Sequence, residues 1–218
     1  KVLESILKNI QKNDIEIIIA DGGSTDGTNE IIKRYSEKFK FIRIIKNNKQ
    51  IVSSGFNLAL NKAKGNIIIR IDGHCEIQPN FIENCIKLIQ RTGADVVGGR
   101  IKTISNGFIG NAVAIAQSTW FGVGGARFRM SSNLKGCYVN SLAFGAHKRG
   151  IFLDVGGYDE ELICNQDEEF NYRLIQSGKK IWMDLSITTK YYSRTNYINL
   201  FKQYFNYGYF KVRVIQKR

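Results

Sequence analysis

Two periods alternate along the first hundred residues of the chain. Leu3, Ile6, Leu7 and Ile10 recur every three to four positions, the spacing of an amphipathic helix. Residues 15–20 are then a nearly continuous apolar run, short enough to be a strand covered on both faces. A turn-rich loop follows, Asp21-Gly-Gly-Ser-Thr-Asp-Gly-Thr28, with Asp26 or Thr28 placed to cap a helix carrying Ile31, Ile32 and Tyr35. The unit repeats as strand 41–46, loop 47–52, helix 53–64 and strand 66–71. Pro79 opens a further helix to about Arg91, and residues 95–100 make another strand. Strands and helices joined by short loops predict an α/β fold with a doubly wound, mostly parallel sheet. Right-handed crossovers carry every strand's carboxyl end to one rim, so Asp21 and Asp72 are expected to share it.

The second half is less periodic. Residues 107–129 are rich in Gly and aromatics without a clean period, and an irregular stretch of that length implies a lid or binding loop. Residues 139–146 read as a strand, 148–155 as a short helix stopped by Gly156-Gly157, and 167–176 as a helix ending at Gly178. The first turn of that last helix, Asp167-Glu168-Glu169, is acidic, which suits the helix dipole. From Tyr197 to Arg218 aromatic and basic residues interleave, a pattern for a helix lying in a membrane interface or packed on the domain.

Composition narrows the class. The 218 residues fit a single domain, 1–218, and 43% hydrophobic content with one Pro describes a folded body. The net charge of +13 concentrates toward the end, where nine Lys or Arg follow residue 178 against the single acid Asp184. Such a face suits anionic lipid, nucleic acid or a phosphorylated substrate. Four scattered cysteines without a C-x-x-C pair do not make a zinc knuckle or a disulfide framework, and they fit a reducing compartment. No apolar run is long enough to span a bilayer. The chain opens on Lys1 directly in a helical pattern, so a fragment is expected, with membrane segments beyond either end left open.

The chemistry gathers at Asn66-Ile-Ile-Ile-Arg-Ile-Asp72-Gly-His74-Cys-Glu76. Gly73 breaks the strand and leaves Asp72 and His74 at its carboxyl edge, where open α/β sheets bind ligands. The intervening Gly lets both side chains turn toward one cation. A carboxylate with an imidazole suits Mn²⁺, Mg²⁺ or Zn²⁺ and leaves coordination positions for a substrate's phosphates. The same residues also serve as a strand-ending turn in which Asp72 caps backbone amides.

Taken together, five stretches in order resemble family-two glycosyltransferases of the GT-A, Rossmann-like fold. The Asp21–Thr28 loop is similar to their "DDGSTDGT" text, and Asp72-Gly-His74 sits where they carry a D-x-D metal motif. Gly145-Ala-His-Lys-Arg149 with Val155-Gly-Gly-Tyr-Asp159 resembles "GAxRR…VGGFDE", and Asn165-Gln-Asp-Glu-Glu-Phe-Asn-Tyr-Arg-Leu174 the "EDxEL…RL" helix. Gln203-Tyr-Phe-Asn-Tyr207 is a degenerate Q-x-x-R-W, with Asn206 in place of Arg, and the nearest branch is the bacterial exopolysaccharide, succinoglycan-type enzymes. The family's first strand, with its Pro and Asn or Glu, has no counterpart here.

The resemblance implies an inverting transfer of sugar from a nucleotide-sugar, expected to be UDP-linked, to a glycan or polyprenyl-diphosphate-linked acceptor in extracellular or capsular polysaccharide synthesis. It implies Asp167 as catalytic base, Asp72 and His74 on a divalent Mn²⁺ or Mg²⁺, and Asp21 and Asp72 on the nucleotide-sugar. Gln50 and Lys49, in the next loop along the rim, are further candidates for the nucleotide pocket. Glu168, or Glu169, stands in for the base if the register slips. Glu168, Arg127, Arg129, Lys148 and Arg149 are candidates for the acceptor side. The expected location is the cytoplasmic face of the cell membrane, against an anionic surface and without nucleic acid. A nucleotidyltransferase would explain Asp21 and Asp72 but leave the Asp167 helix without a task. A basic membrane or nucleic-acid module would leave the rim carboxylates unexplained.

Overall fold

The computed structural model describes residues 1–10, 15–105, 107–123, 127–129, 136–192 and 196–218, without the side chains of Ile109, Phe121, Val123, Arg127 and Tyr197. The helix–strand alternation of the first hundred residues is present as α1 (Val2–Leu7), β1 (Ile17–Asp21), α2 (Thr28–Lys38), β2 (Ile42–Lys46), α3 (Val52–Lys62), β3 (Ile67–Ile69), β4 (Cys75–Ile77), α4 (Phe81–Thr92) and β5 (Val96–Ile104). The short β4 is an addition to the expected elements. Helix α4 shows why the pattern works. Phe81, Ile82, Cys85, Leu88 and Ile89 are its buried residues, one stripe at helical spacing, and Gly93 closes the helix in the left-handed region at φ 68°.

The second half differs from expectation. Residues 107–129 fold as α5 (Gly107–Ala116), α6 (Trp120–Val123) and a 3₁₀ turn (Arg127–Arg129) rather than as irregular chain. Helix α5, Gly-Phe-Ile-Gly-Asn-Ala-Val-Ala-Ile-Ala, has no charged side chain, so it shows no apolar–polar alternation to read. The strand expected at 139–146 is two strands, β6 (Cys137–Val139) and β7 (Gly145–Lys148). Then come α7 (Ile151–Val155), α8 (Gln166–Gln176), β8 (Ile181–Tyr192) and α9 (Tyr197–Lys217).

Strands β1 and β2 pair in parallel as a separate two-stranded sheet, with Asp21 opposite Lys46. The larger sheet runs β3-β7-β5-β8-β4, with β6 also on β8. It is mixed: β8 is parallel to β5, while β7 runs antiparallel to both β3 and β5, and β4 and β6 run antiparallel to β8. The expectation of a mostly parallel sheet is thus corrected. Strand β7 follows β6 through residues 140–144 instead of a βα crossover, and enters the sheet antiparallel to β3 and β5.

The doubly wound character holds. Val96 belongs to a core with Phe56 and Leu60 of α3, Phe152 of α7, and Phe170 and Leu174 of α8. Its neighbour Val97 points the other way, into a core with Ile6 of α1 and the α4 stripe. Between the flanking strands β5 narrows to Gly98-Gly99. A Cβ on Gly98 would lie 2.4 Å from the Phe144 carbonyl oxygen, and one on Gly99 1.7 Å from that of Ile187. Only glycine lets the three backbones approach this closely. Among the described residues, no helix is long and apolar enough to cross a membrane.

Candidate active site

The site forms where β3 runs out. Arg70, just past the strand, grips Asp72 with a two-pronged contact, Nε to Oδ1 at 2.9 Å and Nη2 to Oδ2 at 3.0 Å. Its third nitrogen, Nη1, donates to the Tyr158 hydroxyl at 3.2 Å, and the guanidinium lies 5.4 Å over the Tyr158 ring. The Arg70 side chain is only 10% exposed. A buried cation is tolerated because every prong has a partner. Burial works against its charge, but Tyr158, Asp72 and Asp167 outweigh it and hold the guanidinium above its usual pKa. Sequence reasoning passed over Arg70, although one cation inside a run of isoleucines is itself a signal.

Asp167 comes to the same cluster from α8. Phe170 and Leu174 bury that helix in the core, and Asn171 Nδ2 donates to the Leu142 carbonyl at 2.7 Å. Asp167 lies three and four positions before Phe170 and Asn171, so the same face carries it inward. Its carboxylate accepts from the Glu168 amide at 3.0 Å. Burial pushes its pKa up; Arg70 and Arg129 pull it back, and Asp72 pushes it further.

Neighbouring acids have other partners. Glu169 is fully buried and taken by Arg173 at 2.7 and 2.8 Å and by Arg218 at 2.7 Å, so it is a structural clamp and not a spare base. Glu168 is held by Lys211 of α9.

Asp21 and Gln50 form a second group. Asp21 folds its own turn, Oδ2 accepting from the Gly23 and Ser24 amides at 2.8 and 3.1 Å and Oδ1 from the Ser24 hydroxyl at 2.6 Å. The Ser24 hydroxyl and these amides hold its carboxyl below the ordinary range against a small burial penalty. Gln50, in the left-handed region at φ 56°, packs against Gly22 and Gly23. A chain of contacts ties this group to the first. Lys49 bonds Glu160 at 2.7 Å, Asn57 bridges Glu160 and the Tyr158 carbonyl at 2.9 and 2.8 Å, and Tyr158 meets Arg70.

Helix α9 closes the far side. Gln203 Nε2 donates to the hydroxyls of Tyr207 at 2.6 Å and Tyr191 at 3.4 Å. Tyr191 in turn meets His74 edge-on at 4.9 Å and carries the Arg129 guanidinium 5.3 Å from its ring centre. The degenerate Gln203–Tyr207 element thus sits beside His74 and Arg129, although Tyr191 drew no notice in the sequence.

As a metal site, Asp72 and His74 supply one carboxylate and one imidazole on a single turn. Arg70 covers one lone pair of each Asp72 oxygen and leaves the outer ones. That fits a two-donor site for Mn²⁺ or Mg²⁺ completed by a ligand's phosphates. No ready-made group of three or more His, Cys, Asp or Glu exists among the described residues.

The acceptor-side cations divide. Arg129 is in the cluster. Arg149 and Lys148 are not, which corrects that expectation. Strand β7 runs antiparallel to β3, so Lys148 pairs with Ile67 at the start of β3, on the edge opposite Asp72. Lys148 bonds the Gly93 carbonyl at 2.9 Å and Arg149 the Lys64 carbonyl at 3.3 Å. The Arg127 side chain lies outside the described ones.

Comparison with known proteins places this geometry. The model of glycosyl transferase family 2 matches residues 1–152. The chain is 33% identical over 209 residues to the succinoglycan biosynthesis protein ExoA of Rhizobium meliloti (strain 1021), covering 95% of this chain and 63% of that protein. It is 30% identical over 214 residues to a dolichyl N-acetyl-α-D-glucosaminyl phosphate 3-β-D-2,3-diacetamido-2,3-dideoxy-β-D-glucuronosyltransferase of Methanococcus voltae, covering 94% and 66%. The chain therefore spans slightly less than two-thirds of either relative. The crystal structure of GalNAc-T7 with UDP, GalNAc and Mn²⁺ matches at TM-score 0.69 and 17% identity, over 89% of this chain and 41% of that one. S. aureus TarS 1-349 in complex with UDP matches at 0.64 and 20%, over 88% and 55%. At those identities the likeness is one of fold, and the fold is GT-A. The chain belongs to glycosyl transferase family 2.

Proposed function

We propose that this chain is the catalytic domain of an inverting, metal-dependent glycosyltransferase that takes sugar from a UDP-linked donor. The observation that carries this reading is the cluster of Asp72, Arg70, Tyr158 and Asp167, two carboxylates from different elements held around one buried cation. The relatives of succinoglycan and dolichyl-linked glycan synthesis, and the UDP-bound structures of the same fold, support it.

Departure of a nucleoside diphosphate leaves negative charge on the leaving oxygen. A divalent ion held by Asp72 and His74 would supply charge neutralisation there. The rest of the work belongs to the chain. Asp21 and Gln50 bound the nucleotide end of the rim. Arg70 fixes the Asp72 carboxylate in orientation. Arg129, on the side closed by α9, adds positive charge near the acceptor. Asp167 takes the proton from the acceptor hydroxyl as that oxygen bonds to the anomeric carbon and the carbon–oxygen bond to the diphosphate breaks on the opposite face. A carboxyl raised by burial is a better base near neutral pH, and such a base contributes ~10²–10⁴ in rate. The acceptor proposed is a glycan or polyprenyl diphosphate at the cytoplasmic membrane face, with Glu168 beside its path.

Asp167→Asn tests this reading, since Asn keeps the size and one acceptor oxygen but takes no proton. Calorimetric UDP affinity with Mn²⁺ should be unchanged and abolished by EDTA, while transfer by the full-length enzyme falls by ~10²–10⁴. Near-normal transfer would remove Asp167 as base, and EDTA-insensitive UDP binding would remove the metal.

A further inference from the structure

Two helices expose apolar faces beside one another. On α5 the outward stripe is Phe108, Asn111, Ala112, Ile115 and Ala116, at helical spacing, with Phe108 89% and Ile115 67% exposed. Trp120, at the start of α6, continues it at 69%. Not one charged residue occurs from Gly107 to Val123. Helix α9 is docked by Phe210 and Val214 against Leu162. Its opposite side carries a second apolar stripe, Ile198, Phe201 and Phe205, each about two-thirds or more exposed at 65%, 72% and 64%. Gln117, just past α5, donates to the Tyr204 hydroxyl on α9 at 3.4 Å, which joins the two helices.

We propose that α5, Trp120 and the outer face of α9 form one platform that seats in the headgroup–acyl boundary of an anionic bilayer. It rests on the membrane location proposed above but not on the transfer chemistry. The charge pattern selects this occupant over a second copy. Exposed Lys202 and Arg213 flank the α9 stripe, and the chain carries +13 overall, so two copies face to face would repel where anionic headgroups attract. An uncharged helix can sink below the headgroups, while Trp and Tyr favour the interface. The same α9 presents Gln203 and Tyr207 to the site, so seating the platform brings the acceptor side of the site to the lipid surface.

The test uses the full chain, vesicles of phosphatidylcholine with phosphatidylglycerol, and acyl-chain-brominated lipid as quencher. Trp120 is one of two tryptophans, and the exposed substitution Trp120→Phe isolates its signal by difference. At low salt the Trp120 emission should shift to the blue and be quenched, and both effects should vanish at high salt. Phe108→Ser with Ile115→Ser should weaken vesicle binding by about tenfold or more, while UDP–Mn²⁺ affinity stays unchanged. Vesicle binding without Trp120 quenching overturns the platform and leaves α9 as a purely electrostatic contact. A lipid-free dimer abolished by Phe108→Ser overturns it in favour of self-association. Loss of UDP binding in wild type bears on the transfer reading alone.

Discussion

Arg70 decides how Asp72 can act. A carboxylate gripped at both oxygens cannot rotate, so whatever binds Asp72 meets it in one orientation. Removing one partner of a buried pair typically costs about 3–5 kcal/mol, and because the Asp72 side chain is 21% exposed, Arg70→Ala should fall at the low end. Arg70→Lys keeps the charge but not the fork. Urea melts of Arg70→Lys should stay near wild type while UDP–Mn²⁺ affinity falls by about tenfold or more. If the Lys variant instead melts like the Ala variant, Arg70 only supports the fold. At this scale the sequence exposed Asp72, His74 and Asp167, because each sits at a strand end or helix start where side-chain direction follows from local rules. Arg70 and Tyr158 are partners 88 positions apart, Tyr191 and His74 are farther apart still, and no local period records such pairings.

At the scale of elements, β7 carries a second buried polar group. His147 faces Ile68 on one side and Val96 on the other, with the Phe152 and Phe170 rings at 5.7 and 5.9 Å. Burial drives its pKa down to about 4, against smaller opposing contributions from the Ile68 and Gly145 backbone. The unfolded chain accepts a proton near 6.5 while the folded one refuses it until about 4. Stability from this residue is therefore complete above pH 6.5 and lost as pH falls toward 4, by up to about 3 kcal/mol. Urea unfolding across that window should show the loss in wild type, and His147→Phe should flatten the slope. An unchanged slope would assign acid lability to other groups.

Legibility was uneven among the elements too. Helix α4 announced itself by its stripe, and α5 did not because it is apolar throughout. Strand β8 was only partly open to reading: Ile181 and Met183, then Ile187 and Thr189, are buried two apart, but the alternation breaks at Leu185 and Trp182 interrupts the polar positions.

For the whole molecule, the βα alternation located the rim, but not the arrival of β7 and β8 in the middle of the larger sheet. Those pairings are long-range, and strand order is not written in any window of sequence. The global excess of positive charge likewise has local structure. Lys211, Lys217 and Arg218 are spent on Glu168, on Asp159 and Glu161, and on Glu169. On α9 the basic residues without an acidic partner among the described residues are Lys202, in its first third, and Arg213, which rests on Tyr209.

Those clamps are gathered at one end. Phe210, Val214 and the three ion-paired cations lie between residues 210 and 218, while the first half of α9 is anchored by the Asn196 cap at 2.8 Å and the Gln203 and Tyr204 contacts. Amide hydrogen exchange should therefore be graded along α9, with residues 210–214 slow and 198–206 fast. Uniform protection along α9 would contradict this gradient. The more lightly held half is the one whose Gln203 reaches Tyr191, the ring that meets His74 and Arg129, so local loosening there would reach the site before the domain unfolds.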